Sequence, residues 1–443
     1  MEEITVASAE HPATIDHRVI QIPDYDSMVF SIKERMEDIT TARCIGRVSE
    51  NLRRDIGGNS KVYVPGKISI GPLHHGEEKL ESMDNHKWRY VYSLLNRKAH
   101  LELTLDSCVK ALKESEHKAR LYYAEEIRLS SDEFVQLLLI DGCFLIELIL
   151  RYAVKGLKRR GDLVFNTHGL LFELRSDMVL LENQIPFFIL QQLFQIVPIP
   201  TQCNQSLTEL AFQFFKDMIP GDHRVHLRRF SHEGNHLLDL LRHCFLPTHP
   251  RVKVKQDPAP QGFKVAATEL ASSGVTLKKA ATDQDLLDVK FSKGVLVIPP
   301  LNFHQYTESL LRNFIAMEHS SSETTKHVTS YVILMKSLLK SKKDVEFLYR
   351  KQILSNYDDD YEYKDVLSMF QGMWKEEKLK DFYYDGLCEE VNAYPGGRCK
   401  RIMKTRFLKN RVSRTVLIVA LLLIVLSLVG ILLSVLSFSR HRS

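Results

Sequence analysis

From Phe134 the chain is almost uninterruptedly apolar: FVQLLLIDGCFLIELILRYAV, to about Val154. It follows Ser130-Ser131-Asp132-Glu133, a capping box with Ser130 at the N-cap and Glu133 at N3. A long buried helix is expected. Before it, residues 84–126 mix charged and apolar positions at helical spacing and read as one or two amphipathic helices. Upstream again, KVYVPGKISIGP (61–72) is β-rich but broken by Pro and Gly, so it reads as extended chain and turn. Ser176–Leu193 is a further apolar segment, with Pro186 placed for the first turn of a new helix, and Leu207–Met218 is amphipathic. Residues 247–262 carry four prolines and read as a linker or insertion. The period then changes. Phe263–Lys279 and Leu286–Phe303 contain strand-like runs, and DVKFSKGVLVIPP reads as a β-hairpin turning at Ser-Lys-Gly. Helices resume from Thr307 to about Leu354, and an acidic loop, Asp358–Asp360, precedes one or two more. No internal repeat is visible. The pattern predicts a mainly α (α+β) body with a small sheet or hairpin.

The C-terminus differs in kind. Val416–Phe438 reads VLIVALLLIVLSLVGILLSVLSF, without a charge. As a helix it is roughly 35 Å long, enough to cross a ~30 Å hydrocarbon layer. A core helix is seldom apolar on every face for so long. A single transmembrane helix is expected, with the lipid bilayer as its partner. Eight Lys/Arg and no Asp/Glu lie between Arg398 and Arg414; Arg440 and Arg442 follow the span. That asymmetry places the body in the cytosol, a tail-anchored topology. The basic collar fits this topological role and would also meet anionic headgroups. The span's length favours the plasma membrane over the thinner endoplasmic reticulum.

Charge and cysteines sharpen this. The net charge of the 443 residues is +5, and removing the ten positive charges around the span leaves the remainder at −5. A nucleic-acid binder would carry its basic excess on the folded domain. The seven cysteines contain no C-x-x-C pair, which argues against a disulfide framework or zinc ribbon and for a reducing compartment. The N-terminal stretch lacks the form of a secretory signal. Asn204-Gln205-Ser206 is an N-glycosylation sequon and so a reporter of the opposite topology.

Candidate chemistry is sparse. His232-Glu233-Gly234-Asn235-His236 matches H-E-x-x-H, in which two histidines one helical turn apart bind zinc and the Glu polarises the metal-bound water. That needs a helix through the motif. Gly234 and Asn235 are poor helix formers, and Asn235 reads as the N-cap of HLLDLLRHCF, leaving His232 outside. The extended form would need Gly at 239 and His at 242, where Asp239 and Arg242 stand. His232, Glu233 and His236 are therefore not assigned to a metal. His74-His75 reads as turn structure or a surface contact. Asp141, mid-helix among apolar residues, reads as hydrogen-bonded to a nearby backbone or an Arg, and Glu182-Asn183-Gln184 as polar groups tying a helix end. No phosphate-binding loop, dinucleotide fingerprint, kinase signature or nucleophile elbow occurs. No catalytic residue, cofactor site or small-molecule substrate is expected.

In order along the chain stand KISIGPLHHG (67–76), LESMDNHKWRY (80–90), DGCFLIEL (141–148), LLENQIPFFIL (180–190), HLLDLLR (236–242), ATELASSGV (267–275) and LDVKFSKGVLVIPPLNFHQYTESLLRNFIAMEH (287–319). Together they resemble the plant family called domain of unknown function 247, or uncharacterised protein family 0481, over roughly residues 40–438. The resemblance implies a C-terminal span and no established enzymatic activity. Some grass members are implicated in pollen self-incompatibility, which implies a recognition role. Two stretches depart from the family pattern. Its Arg-Val-Pro is Arg47-Val48-Ser49 here, and its Pro-Trp-containing stretch before the span is the basic RCKRIMKTRFLKNRVSR.

The expected organisation is a variable leader (1–40), a helical body (41–395), a basic collar (396–414), a transmembrane helix (415–438) and a short tail (439–443). The expected function is protein interaction in recognition or signalling, with an unknown protein partner. The alternative is a membrane-tethered hydrolase using zinc at the HEGNH stretch.

Overall fold

The structure, a computed structural model, describes residues 44–394 except 55–61, 98–100, 222, 231–233, 253, 255–260, 282–283, 321–323, 357–362 and 376–377. It also describes Ile32, Met36, Val419, residues 422–427, Val429 and Gly430. The chain divides into two units, Met1–Ala42 and Arg43–Ser443. In the first, Ile32 and Met36 are helical and exposed.

The second unit begins with α1 (Glu50–Arg54), α2 (Glu81–Leu95), α3 (Leu101–Leu121), α4 (Ser131–Ala153), α5 (Leu163–Asn166), α6 (Leu170–Met178), α7 (Phe187–Ile196), α8 (Leu207–Phe215), α9 (His223–Phe230) and α10 (Leu237–Phe245). Of the one or two helices expected over 84–126 there are two, α2 and α3. The predicted capping box opens α4: Glu133 N–H donates to Ser130 Oγ at 3.3 Å, and Ser130 N–H donates to Glu133 Oε2 at 2.8 Å. α4 is apolar on nearly every face because α2, α3, α7 and α8 all pack against it. Gly142 lets α7 approach, since a β-carbon there would collide with the Leu193 side chain.

The chain continues through α11 (Ala267–Ser272), the strands β1 (Thr276–Lys279), β2 (Lys290–Ser292), β3 (Val295–Ile298) and β4 (Leu301–Phe303), then α12 (Thr307–Ser320), α13 (His327–Leu338), α14 (Lys342–Arg350), β5 (Leu354–Asn356), α15 (Tyr363–Met373) and α16 (Asp385–Ala393). β2 and β3 form the predicted hairpin, turning at Lys293-Gly294, both with positive φ, as a tight two-residue turn requires. β1 joins β3 in parallel, giving the order β1-β3-β2, and β4 pairs with β5 in parallel. The helical run expected to reach Leu354 instead stops at Arg350. Gln352 turns the chain with φ +56°, and Leu354 starts a strand.

The described ends of the Pro-rich insertion are strapped to the body. Thr248 N–H donates to Asp288 Oδ1 at 2.8 Å, Arg251 pairs with Asp385, and Leu379 N–H donates to Gln261 Oε1 at 2.8 Å. One continuous apolar core extends from Ile45 to Val391. The architecture is helix-dominated with small sheets.

Among the described residues, no helix is long and apolar enough to cross a membrane. Most of Val416–Phe438, including both ends, lies outside the described residues, as do the collar (396–414) and the tail. Val419, Leu422, Leu423, Ile424, Val425, Leu426 and Val429 are helical, with 48–66% of each residue exposed.

Candidate functional site

Of the stretch expected to be extended, 61–72, the described residues 62–72 form no strand. Its amides go to side chains instead. Gly66, Lys67 and Ile68 all donate N–H to the Asp177 carboxylate, at 3.0, 2.6 and 2.9 Å. Ile70 N–H donates to Asn183 Oδ1 at 2.6 Å, and Gly71 N–H to Asp141 Oδ2 at 2.8 Å. Asn183 Nδ2 returns a bond to Ile68 O at 3.0 Å. A backbone without a ladder still needs its hydrogen bonds satisfied, and these carboxylates and amides do it. Burial pushes the Asp177 carboxyl above its ordinary value against the pull of its three amide donors. Lys87, not an Arg, is the cation of Asp141, at 2.7 Å. Gln184 closes the set, donating to Met178 O and Leu180 O at 2.7 and 2.8 Å.

His74 is buried, while His75 is exposed. The His74 ring bridges Glu77 at Nδ1 and Glu182 at Nε2, the latter at 3.1 Å. Glu182 also accepts Val48 N–H at 2.7 Å and pairs with Arg53. Burial raises the Glu182 pKa, but the His74 bond, the Val48 amide and the Arg53 charge outweigh it and hold the carboxyl below its usual range. The acidic groups of the ENQ and DGC motifs are thereby committed to bracing Val48, Arg53, Gly71 and His74. His74 belongs to this brace and not to a surface contact.

At the HEGNH stretch, α9 ends at Phe230 and α10 starts at Leu237, with residues 234–236 outside any helix. His232 and Glu233 lie outside the described residues. The N-cap is His236, one residue later than expected: Asp239 N–H donates to His236 Nδ1 at 3.3 Å. Asn235 serves differently, donating N–H and Nδ2–H to Asp239 Oδ2, both at 3.0 Å. The side chain of Asp239 claims Asn235, so the cap passes to the next residue. Burial drives the His236 pKa down to about 4 against the opposing pull of the Asp239 charge and the Cys44 backbone. Among the described residues no group of three or more His, Cys, Asp or Glu is placed to hold a metal. Burial raises the thiol pKa of Cys44 and Cys244 to about 12 and of Cys108 to about 11, which disfavours the nucleophilic thiolate.

A different place is open to solvent. α2 exposes Trp88 (48%) and Tyr92 (68%), one helical turn apart on one face. With Leu163 (40% exposed), Arg89 and Arg159 they line a recess of about 520 Å³. Its floor is a closed ion network. Arg151 donates to Glu147 at 2.8 Å and to Asp162 at 2.7 Å, and its guanidinium lies 4.0 Å from the Tyr90 ring centre. Tyr90 Oη donates to Asp162 at 2.6 Å. Arg89 and Arg159 form no ion pair or side-chain hydrogen bond among the described residues. Sequence reasoning passed over this site. Its signal was W-x-x-x-Y on a helix whose other face carries the buried Lys87, Tyr90 and Leu94.

A family model described as a plant protein of unknown function, domain of unknown function 247, matches residues 45–429. The chain belongs to this family. Two Arabidopsis thaliana members are similar to it. The UPF0481 protein At3g47200 is 30% identical over 335 residues, covering 71% of this chain and 69% of that protein. The putative UPF0481 protein At3g02645 is 22% identical over 434 residues, covering 76% and 80%. No solved structure matches. Seen in this domain of unknown function 247 fold, Asp141 of motif 141–148 and Glu182 and Asn183 of motif 180–190 join His74 and the backbone of motif 67–76 in one buried hydrogen-bonded brace.

Proposed function

We propose that this chain is a single-pass, tail-anchored plant membrane protein whose cytosolic body binds another protein, in recognition or signalling. One observation carries the anchor. Residues 422–426 are consecutive and helical, so at 100° per residue they face every direction, and all five are large, apolar and more than half exposed. Among the described residues, no side of this stretch is covered. Leaving the seven exposed Leu, Ile and Val side chains in water costs roughly 5–10 kcal/mol relative to an apolar medium. Ser427 fits a lipid setting because its hydroxyl bonds back to Leu423 O at 2.7 Å and Ile424 O at 3.0 Å. The basic flank at 398–414 supports a cytosolic body. The six described cysteines are free, in keeping with a reducing compartment. The plasma membrane is the favoured bilayer. The binding role is supported by the exposed aromatic recess and by the structural use of the buried acids.

Centrifugation and carbonate extraction of a detergent-free plant lysate test the anchor. Full-length protein should stay with the membrane pellet; unaggregated protein in the supernatant overturns the anchor. Asn204 is exposed, so a glycan on it in cells would place the body in the lumen. Proximity labelling in intact cells tests the binding role, and the absence of any reproducible neighbour overturns it.

A further inference from the structure

We infer that the recess between α2 and α5 is the docking site for an acidic peptide segment of the partner, anchored by one aromatic or leucine side chain. This deepens the interaction reading above and rests on it.

Three observations converge. Trp88 and Tyr92 stand on one helical face with their rings in solvent, although α2 has a buried face that could have taken aromatic residues. Exposed Trp and Tyr at the mouth of a concavity are the residue types that dominate protein-recognition energetics. Next, the charge is one-sided. Arg151 in the floor is matched by Glu147 and Asp162, and Asp162 is further occupied by Tyr90 Oη and the Val164 amide. The rim guanidiniums of Arg89 and Arg159 have no such match among the described residues. A peptide carboxylate supplies what each lacks, through two parallel N–H···O bonds. Finally, the floor is fixed. The Arg151–Tyr90–Asp162 set is buried and mutually bonded, so the concavity is formed before anything binds.

The chemistry distinguishes this occupant from others. A free phosphate would use the arginines but leave the Trp88 and Tyr92 faces idle. A nucleic-acid strand would need a basic track continuing across the surface, whereas the chain outside the C-terminal flank is net acidic. Glu and Asp around one Leu, Phe or Tyr use both halves of the site.

The test is fluorescence anisotropy with full-length protein in detergent micelles. The probes are labelled short peptides with Asp and Glu on both sides of a central Leu, Phe or Tyr, with Lys-for-acid versions as controls. Saturable binding by the acidic set is expected, weakening as salt rises, with no binding by the Lys set. The double variant R89E/R159E should lose at least tenfold in affinity and Trp88→Ala several-fold, with unchanged circular dichroism because all three residues are exposed. Trp88 emission should shift on binding; the other tryptophan, Trp374, is buried. No saturable binding, equal binding by the double variant, or tighter Arg89-dependent binding of oligo(dT) or phosphatidylserine vesicles overturns the inference. Self-association abolished by R89E/R159E also overturns it, since the occupant would be a second copy. Proximity labelling separates the two levels. Neighbours unchanged in the double variant refute the recess and leave the interaction role standing. No neighbours for the wild type refute the interaction role itself.

Discussion

The carbonyl oxygen of Gln184 occupies the space where a β-carbon on Gly71 would stand, and Gly71 has φ +79°. The turn of KISIGPLHHG is thus pressed against the backbone of LLENQIP. Gly76, with φ +78°, has nothing within 4 Å of its missing β-carbon. The two glycines form a matched pair. Gly76→Ala should cost only conformational strain, about 1 kcal/mol. Gly71→Ala adds a backbone collision and should cost roughly 3 kcal/mol or more. Denaturant unfolding of both variants checks this, and equal losses would remove the close approach from the explanation.

Glu182 carries the acid sensitivity of the brace. Its folded pKa lies below its ordinary value of 4.5. The ionised carboxylate therefore stabilises the fold above about pH 4.5, and that contribution is lost as pH falls through the folded pKa. Glu182→Gln should lower stability at pH 7 by roughly 3 kcal/mol, because Arg53 loses its buried counter-charge. It should also flatten the acid limb of stability against pH. An unchanged acid limb would refute the assignment.

His236 predicts a second, separate window. Its folded pKa, about 4, lies below the ordinary 6.5. Native His236 stays neutral, so stability is fully present above pH 6.5 and falls as the unfolded chain takes up protons between 6.5 and 4, by roughly 3 kcal/mol in all. His236→Asn keeps an N-cap acceptor and removes the titration. Stability measured across that interval should become flatter while α10 persists. A slope equal to wild type would exclude His236 as its source.

The metal question has a direct answer. With Nδ1 of His236 accepting a backbone amide and the helix starting only at Leu237, purified full-length protein should hold far less than one zinc per chain. Stoichiometric zinc that disappears in His236→Ala would restore the hydrolase alternative.

Local rules made much of this readable. The Ser130/Glu133 cap, the Lys293-Gly294 hairpin and the amphipathic helical character of 84–126 each depend on residues within a few positions. Asp141 and Glu182 read as structural, yet their partners did not show, since Gly71 and Val48 lie 70 and 134 positions away. The cap at 236 was misplaced by one because the Asp239 side chain competes for Asn235. β5 was missed because three residues beside a parallel partner carry no period of their own. The recess escaped for the same reason: Arg159 and Leu163 meet Trp88 only once the chain has folded back.

The amides of Gly66, Lys67, Ile68, Ile70 and Gly71 all point into carboxylates or a carboxamide. Ile68, Ser69, Ile70 and Gly71 are themselves buried, so these donors are spent inside the molecule. A strand-free stretch of backbone is thereby made part of the core, and no ladder is left here for another chain to extend.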